Sequence, residues 1–234
     1  MGEQAFAGNA KVGKPLLDRF EQGLVNRYVS KVPPWLETYH LTLLSLVWSG
    51  LILLFSWLAT GDIRWLWGSS VAILAQYLTD LFDGAVGRHR GTGLVRWGYY
   101  MDHLLDFVFL CAIGAGYAWI APEPYRIHVL LVMCCFATAM VSTYLAFNVT
   151  NEFRLSHFRI GPTEVRIALI AVNTLAIYSE GFQQRLETAI PLILAVSLAA
   201  LAVVVYRTQH RIWALDMREK VPGTFSRKRN DSGG

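Results

Sequence analysis

The chain has 234 residues, of which 54% are hydrophobic and only 16% charged, with a formal net charge of +4 and a mean hydropathy of +0.36. This is too apolar for a soluble domain of that length, and the basic residues are scattered beside apolar stretches instead of forming one stripe with interleaved aromatics, which excludes a nucleic-acid binder. An integral membrane protein is the class that remains.

Residues 1–35 carry charges throughout and lack an apolar core, so no signal peptide is expected and the first span is expected to act as its own insertion signal. Within them, Leu17, Phe20, Leu24 and Tyr28 recur three or four apart between charges over 14–31. That spacing predicts an amphipathic helix, lying along the membrane interface or packed under the bundle. Pro33 and Pro34 break the pattern. Six apolar stretches then follow, at 40–60, 63–83, 99–121, 127–149, 163–180 and 188–207, each close to the roughly 20 residues a bilayer-crossing helix needs. The predicted fold is all-α: a polytopic bundle of about six transmembrane helices over 36–210, preceded by a cytoplasmic segment at 1–35 and followed by a basic cytoplasmic tail at 211–234.

With the N-terminus inside, 17 of the 21 Lys and Arg fall in cytoplasmic segments, and only Arg64, Arg126 and Arg185 outside. The bias predicts both termini in the cytoplasm. It also removes Asn148-Val-Thr150 as a glycosylation site. Loop 84–98 reads as Gly- and Arg-rich, and Gly91-Thr-Gly93 within it as a turn, since Arg96 and the lack of a preceding strand exclude a dinucleotide fingerprint. Cys111, Cys134 and Cys135 all lie in predicted spans and say little about compartment. Small residues in spans four and six suit tight packing within one subunit or in a homodimer.

Aspartates beside membrane spans need a reason, since one at the bilayer centre costs about 2.5–3.5 kcal/mol. Asp80 and Asp83 share a helix face at the end of span two, and Asp102 and Asp106 share one at the start of span three. The two spans are consecutive and antiparallel, so the pairs can meet on the cytoplasmic side. Four close carboxylates repel unless cations hold them, and oxygen-only ligands suit Mg²⁺, Mn²⁺ or Ca²⁺.

The segment runs Asp80-Leu-Phe-Asp83-Gly84-Ala-Val-Gly87-Arg88, nine further residues, then Gly98-Tyr-Tyr-Met-Asp102-His-Leu-Leu-Asp106. It resembles the signature of the CDP-alcohol phosphotransferase family, with Gly87 where the pattern has alanine. A second departure is His40, where members usually carry asparagine before the first span. The resemblance implies a multi-pass enzyme of phospholipid synthesis that binds two Mg²⁺ or Mn²⁺ ions. Asp80, Asp83 and Asp102 would be the principal ligands, with Asp106 as base and further metal contact. Gly84, Gly87, Arg88 and Gly98 would receive the CDP-activated donor, Gly84 by close backbone approach and Arg88 by a fork for phosphate oxygens. A lipid or alcohol acceptor and membrane lipids complete the implied partners, with no nucleic acid.

Within the family, Thr163-Glu164 and Asp102-His103 resemble the choline and ethanolamine phosphotransferase branch. This makes His103, assisted by Glu164, a rival base to Asp106. The competing branch transfers a phosphatidyl group from CDP-diacylglycerol to a polyol or polyol phosphate. Arg154, Arg159 and Arg166 are basic residues available to its acceptor phosphate, but no Tyr-x-Arg-Ala-Arg-like run follows span four. A cation-coupled transporter is the third reading; the acids gather at one membrane face with no polar trail through the other spans.

Overall fold

The computed structural model describes residues 17–92, 94–150 and 162–219. The described residues form a helical bundle: α1 (Asp18–Tyr28), α2 (Thr38–Ala59), α3 (Leu66–Arg90), α4 (Val95–Ile120), α5 (Arg126–Thr150), α6 (Pro162–Tyr178) and α7 (Phe182–Glu219). The expected basic tail beyond 219 and the segment holding Glu152, Arg154 and Arg159 lie outside them.

Four of the helices, α2, α4, α5 and α7, are long and apolar enough to cross a membrane, and the chain is an integral membrane protein. The stretches expected as spans two and five, now α3 and α6, fall outside that measure. α3 mixes its apolar residues with Ser69, Ser70, Gln76, Thr79 and two aspartates, and α6 has only 17 residues, with Glu164 and Arg166 in its first turns.

The loop expected over 84–98 is corrected. α3 continues through Gly84 and Gly87 to Arg90, and α4 begins at Val95. Two glycines weaken a helix, but Ala85, Val86 and Gly87 are buried against neighbours, and that packing outweighs propensity. The helix stops at Gly91, whose φ of +65° is the left-handed cap geometry that glycine adopts without strain. At the other end of the sequence, α7 runs through Arg207 and Arg211 to Glu219, so the helix reaches beyond both the expected span and the expected tail boundary.

α2 is the central element, with Thr42, Ser45, Ser49, Ile52, Ser56 and Ala59 along its buried face. Small residues let the helices approach: a Cβ on Gly116 of α4 would lie 2.5 Å from Ser56 Oγ, and one on Gly114 would lie 2.5 Å from Met133 Sδ of α5. A mid-bundle core joins Ile52, Ala72, Ile73, Phe109 and Ile113. The end away from the aspartates is closed by Ala59, Leu66 and Ala176 with Ile120 and Phe182. Between them a buried polar link is fully paired: Asn173 donates to Ser70 Oγ at 3.0 Å and accepts from the Tyr117 hydroxyl at 2.6 Å.

Candidate active site

The aspartate-bearing end of the bundle is formed by the start of α2, the end of α3 and the starts of α4 and α6. Asp83 is held from α2. Its Oδ2 accepts from Thr42 Oγ1 at 2.6 Å, and its main-chain carbonyl accepts from Thr38 Oγ1 at 3.0 Å. Neither threonine was singled out from the sequence as a site residue, although hydroxyls at i and i+4 on one face were the available signal. Thr42→Val keeps the shape but leaves a buried carboxylate oxygen without its donor, so unfolding stability is expected to fall by about 1–3 kcal/mol. Thr42→Ser is expected to recover it. An unchanged unfolding midpoint in Thr42→Val would show that the hydroxyl is dispensable.

Two further residues support this corner. His40, which departs from the family's asparagine, accepts from the Glu37 N–H through Nδ1 at 3.1 Å in a capping box that opens α2. Arg90 donates to the carbonyls of Val32, Pro33 and Leu36 at 2.9, 3.0 and 2.9 Å, fixing the Pro33-Pro34 approach to α2. Prolines supply carbonyls without matching N–H groups, and a guanidinium satisfies several at once.

The four aspartates share this end. Asp102 is within electrostatic range of Asp80, Asp106 and Asp83, and Asp106 of Asp80. Arg166 of α6, only 6% exposed, enters among them. Its Nη2 lies 3.1 Å from Asp80 Oδ2 and 3.7 Å from Asp106 Oδ1. The same guanidinium stands over the rings of Tyr77 and Phe109, at 5.9 and 5.7 Å from their centroids. The sequence offered Arg166 as an acceptor-phosphate group. In the structure it is the counter-charge of the acidic cluster.

The test of these residues as a divalent-cation site is the chemistry of the donors and one orphan atom. All four offer carboxylate oxygen, and Asp83 Oδ1 is buried with no hydrogen-bond partner among the described residues. A buried carboxylate oxygen left bare is costly, and a cation is the group it suits. The donors therefore fit in kind. Among the described residues no three acidic, His or Cys side chains converge on one point, and Asp80 and Asp106 face Arg166.

His103, about two turns into α4, places Nδ1 2.7 Å from the Tyr99 carbonyl and 3.6 Å from Asp102 Oδ2. A carbonyl only accepts, so Nδ1 carries a proton. The Tyr144 hydroxyl of α5 donates to the His103 carbonyl at 3.4 Å, and its ring packs edge-on to the imidazole. Glu164 is half-buried in the first turn of α6, next to Thr163. Arg88 is exposed, and its Nη1 would lie 3.0 Å from a Cβ on Gly84, so the bare glycine is what lets the guanidinium fold back along α3. Gly87 is buried, and the space over Gly98 is open.

The described residues thus form an integral membrane helical bundle with a carboxylate cluster and a buried arginine at one end. The sequence profile of the CDP-alcohol phosphatidyltransferase family matches residues 38–209, and the chain belongs to that family. Its members are transferases of phosphate-containing groups in phospholipid synthesis, using a CDP-alcohol donor and an alcohol or lipid acceptor. No curated protein matches the chain.

Proposed function

We propose that the chain transfers a phospho-alcohol from a CDP-activated donor to a lipid hydroxyl, with release of CMP, at the Asp80–Asp83–Asp102–Asp106 cluster. The reading is carried by the approach of those carboxylates from two helices, with Asp80 and Asp106 paired to the buried Arg166. Two divalent cations, Mg²⁺ or Mn²⁺, held by Asp80, Asp83 and Asp102 with Asp106 alongside, would neutralise the donor diphosphate and the charge that gathers on the transferred phosphoryl group. Gly84, Gly87 and Gly98 leave room for the nucleotide, and Arg88 grips its phosphate oxygens. As the acceptor oxygen bonds to phosphorus, the bond from phosphorus to the CMP oxygen breaks and the hydroxyl proton passes to a base of the chain. Asp106 and His103 are the two candidates. We favour His103, because with Nδ1 donating to the Tyr99 carbonyl the neutral imidazole would use Nε2 as its proton acceptor, with Glu164 steadying the imidazolium. The aspartate end faces the cytoplasm, since Arg88, Arg90 and Arg96 lie at that end, and Arg64, Arg126 and Arg185 at the opposite one.

The engagement of Arg166 by two aspartates weighs against phosphatidyl transfer to a phosphorylated polyol, for which that guanidinium would have to hold the acceptor. The deciding experiment measures CMP release by purified protein with CDP-choline, CDP-ethanolamine or CDP-diacylglycerol as donor. Release from either CDP-aminoalcohol with diacylglycerol present is the expected result. Release from CDP-diacylglycerol alone would move the chain to the other branch. In the same assay His103→Ala is expected to lower kcat by about 100-fold or more with donor KM little changed. A loss under about fivefold with every accepted donor would exclude His103 as the base.

A further inference from the structure

We infer that Glu21, on a helix preceding the family-matched region, is a positioning residue that holds Arg166 against Asp80 and Asp106. The inference rests on the catalytic reading of the aspartate cluster. One carboxylate oxygen of Glu21, Oε1, accepts two hydrogen bonds: from the Tyr77 hydroxyl of α3 at 3.2 Å and from Thr163 Oγ1 of α6 at 2.6 Å. Each donor leads to the same guanidinium. The Tyr77 ring lies under Arg166, and Thr163 precedes Arg166 by one turn of α6. Tyr77 also precedes Asp80 by one turn of α3. A carboxylate bridging two hydroxyls therefore ties α3 to α6 at the level of the Arg166–Asp80 pair.

Lipid-surface binding alone does not account for this placement. A helix that merely rests on a membrane sends its carboxylates to water. α1 instead leaves the large apolar Phe20 exposed while the carboxylate of Glu21 reaches between two helices. Without that bridge, the Tyr77 ring and the first turn of α6 lose their common anchor, and among the described residues Arg166 keeps the aspartates and Phe109 to define its position.

The test uses the full chain in nanodiscs, with hydrogen exchange of α1 and α6 amides read beside CMP-release kinetics and thermal unfolding. Glu21→Ala is expected to speed exchange in the first turns of α6 and lower kcat about tenfold, with donor KM within about twofold of the parent. Glu21→Gln keeps an acceptor oxygen and should recover most of kcat. Tyr77→Phe and Thr163→Val each remove one donor, and the Glu21→Ala/Tyr77→Phe double variant should be no slower than Glu21→Ala alone, because the two act through one bridge. Parent-like kcat in Glu21→Ala, additive losses in the double variant, or a lower unfolding temperature with kcat unchanged would each overturn the inference. Should Glu21→Ala fail to fold, the inference stands or falls on whether Tyr77→Phe and Thr163→Val slow kcat and loosen α6. If the parent protein releases no CMP from any donor, the functional reading fails on its own, and parent-like α6 exchange in Glu21→Ala would still overturn the positioning role.

Discussion

Asparagine at position 80, 83 or 102 should lower CMP release by at least about 100-fold, because each substitution removes a charged oxygen ligand while keeping the side chain's shape. The three variants should differ in stability, and the difference tests the geometry. Asp102 sits among Asp80, Asp106 and Asp83, so Asp102→Asn relieves repulsion and should fold at least as well as the parent. Asp80 is the nearer acidic partner of Arg166, so Asp80→Asn leaves a buried guanidinium with Asp106 at 3.7 Å and should unfold at a lower temperature. Asp83→Asn keeps an acceptor for Thr42 and should fall between them. Turnover within a few-fold of the parent in any two of the three would end the ligand assignment.

Removal of divalent cations should abolish turnover, and restoring Mg²⁺ or Mn²⁺ should return it. Four carboxylates facing an anionic diphosphate would repel the donor, and one arginine does not offset them. The chelated protein should nevertheless remain folded, because Arg166 already neutralises part of the cluster. Turnover and thermal unfolding measured in excess chelator, after metal content is checked, separate these effects. Full turnover there would exclude a metal mechanism, and collapse of the fold would mean that Arg166 is an insufficient counter-charge.

The acidic pairs were legible because a helix repeats: Asp80 with Asp83 and Asp102 with Asp106 have the spacing that puts two groups on one face. The apolar character of the long helices was legible for a similarly local reason. The contacts that turn these pairs into a site were not. Thr42 meets Asp83 across 41 positions, Arg166 meets Asp80 across 86, and Glu21 meets Thr163 across 142, distances at which no periodicity connects residues. The expected loop at Gly84 and Gly87 failed because glycine content measures local preference, whereas the buried faces of Val86 and Ala85 decide the outcome. α1 illustrates both sides: its amphipathic spacing was readable, but the insertion of Glu21 between α3 and α6 depends on where Tyr77 and Thr163 lie in space.

The late position of Arg166 in the chain has a consequence for biosynthesis. At about 5–20 residues per second, the ribosome needs roughly 4–17 s to travel from Asp80 to Arg166. During that interval the end of α3, α4 and α5 are made, and the acids of α3 and α4 lack the partner that the finished bundle supplies from α6. α6 is also short, at 17 residues, and carries Glu164 and Arg166 in its first turns. Its docking is thus favoured by neutralisation of charges already waiting in the half-built bundle, and the acidic cluster gains its counter-charge only after α6 is made.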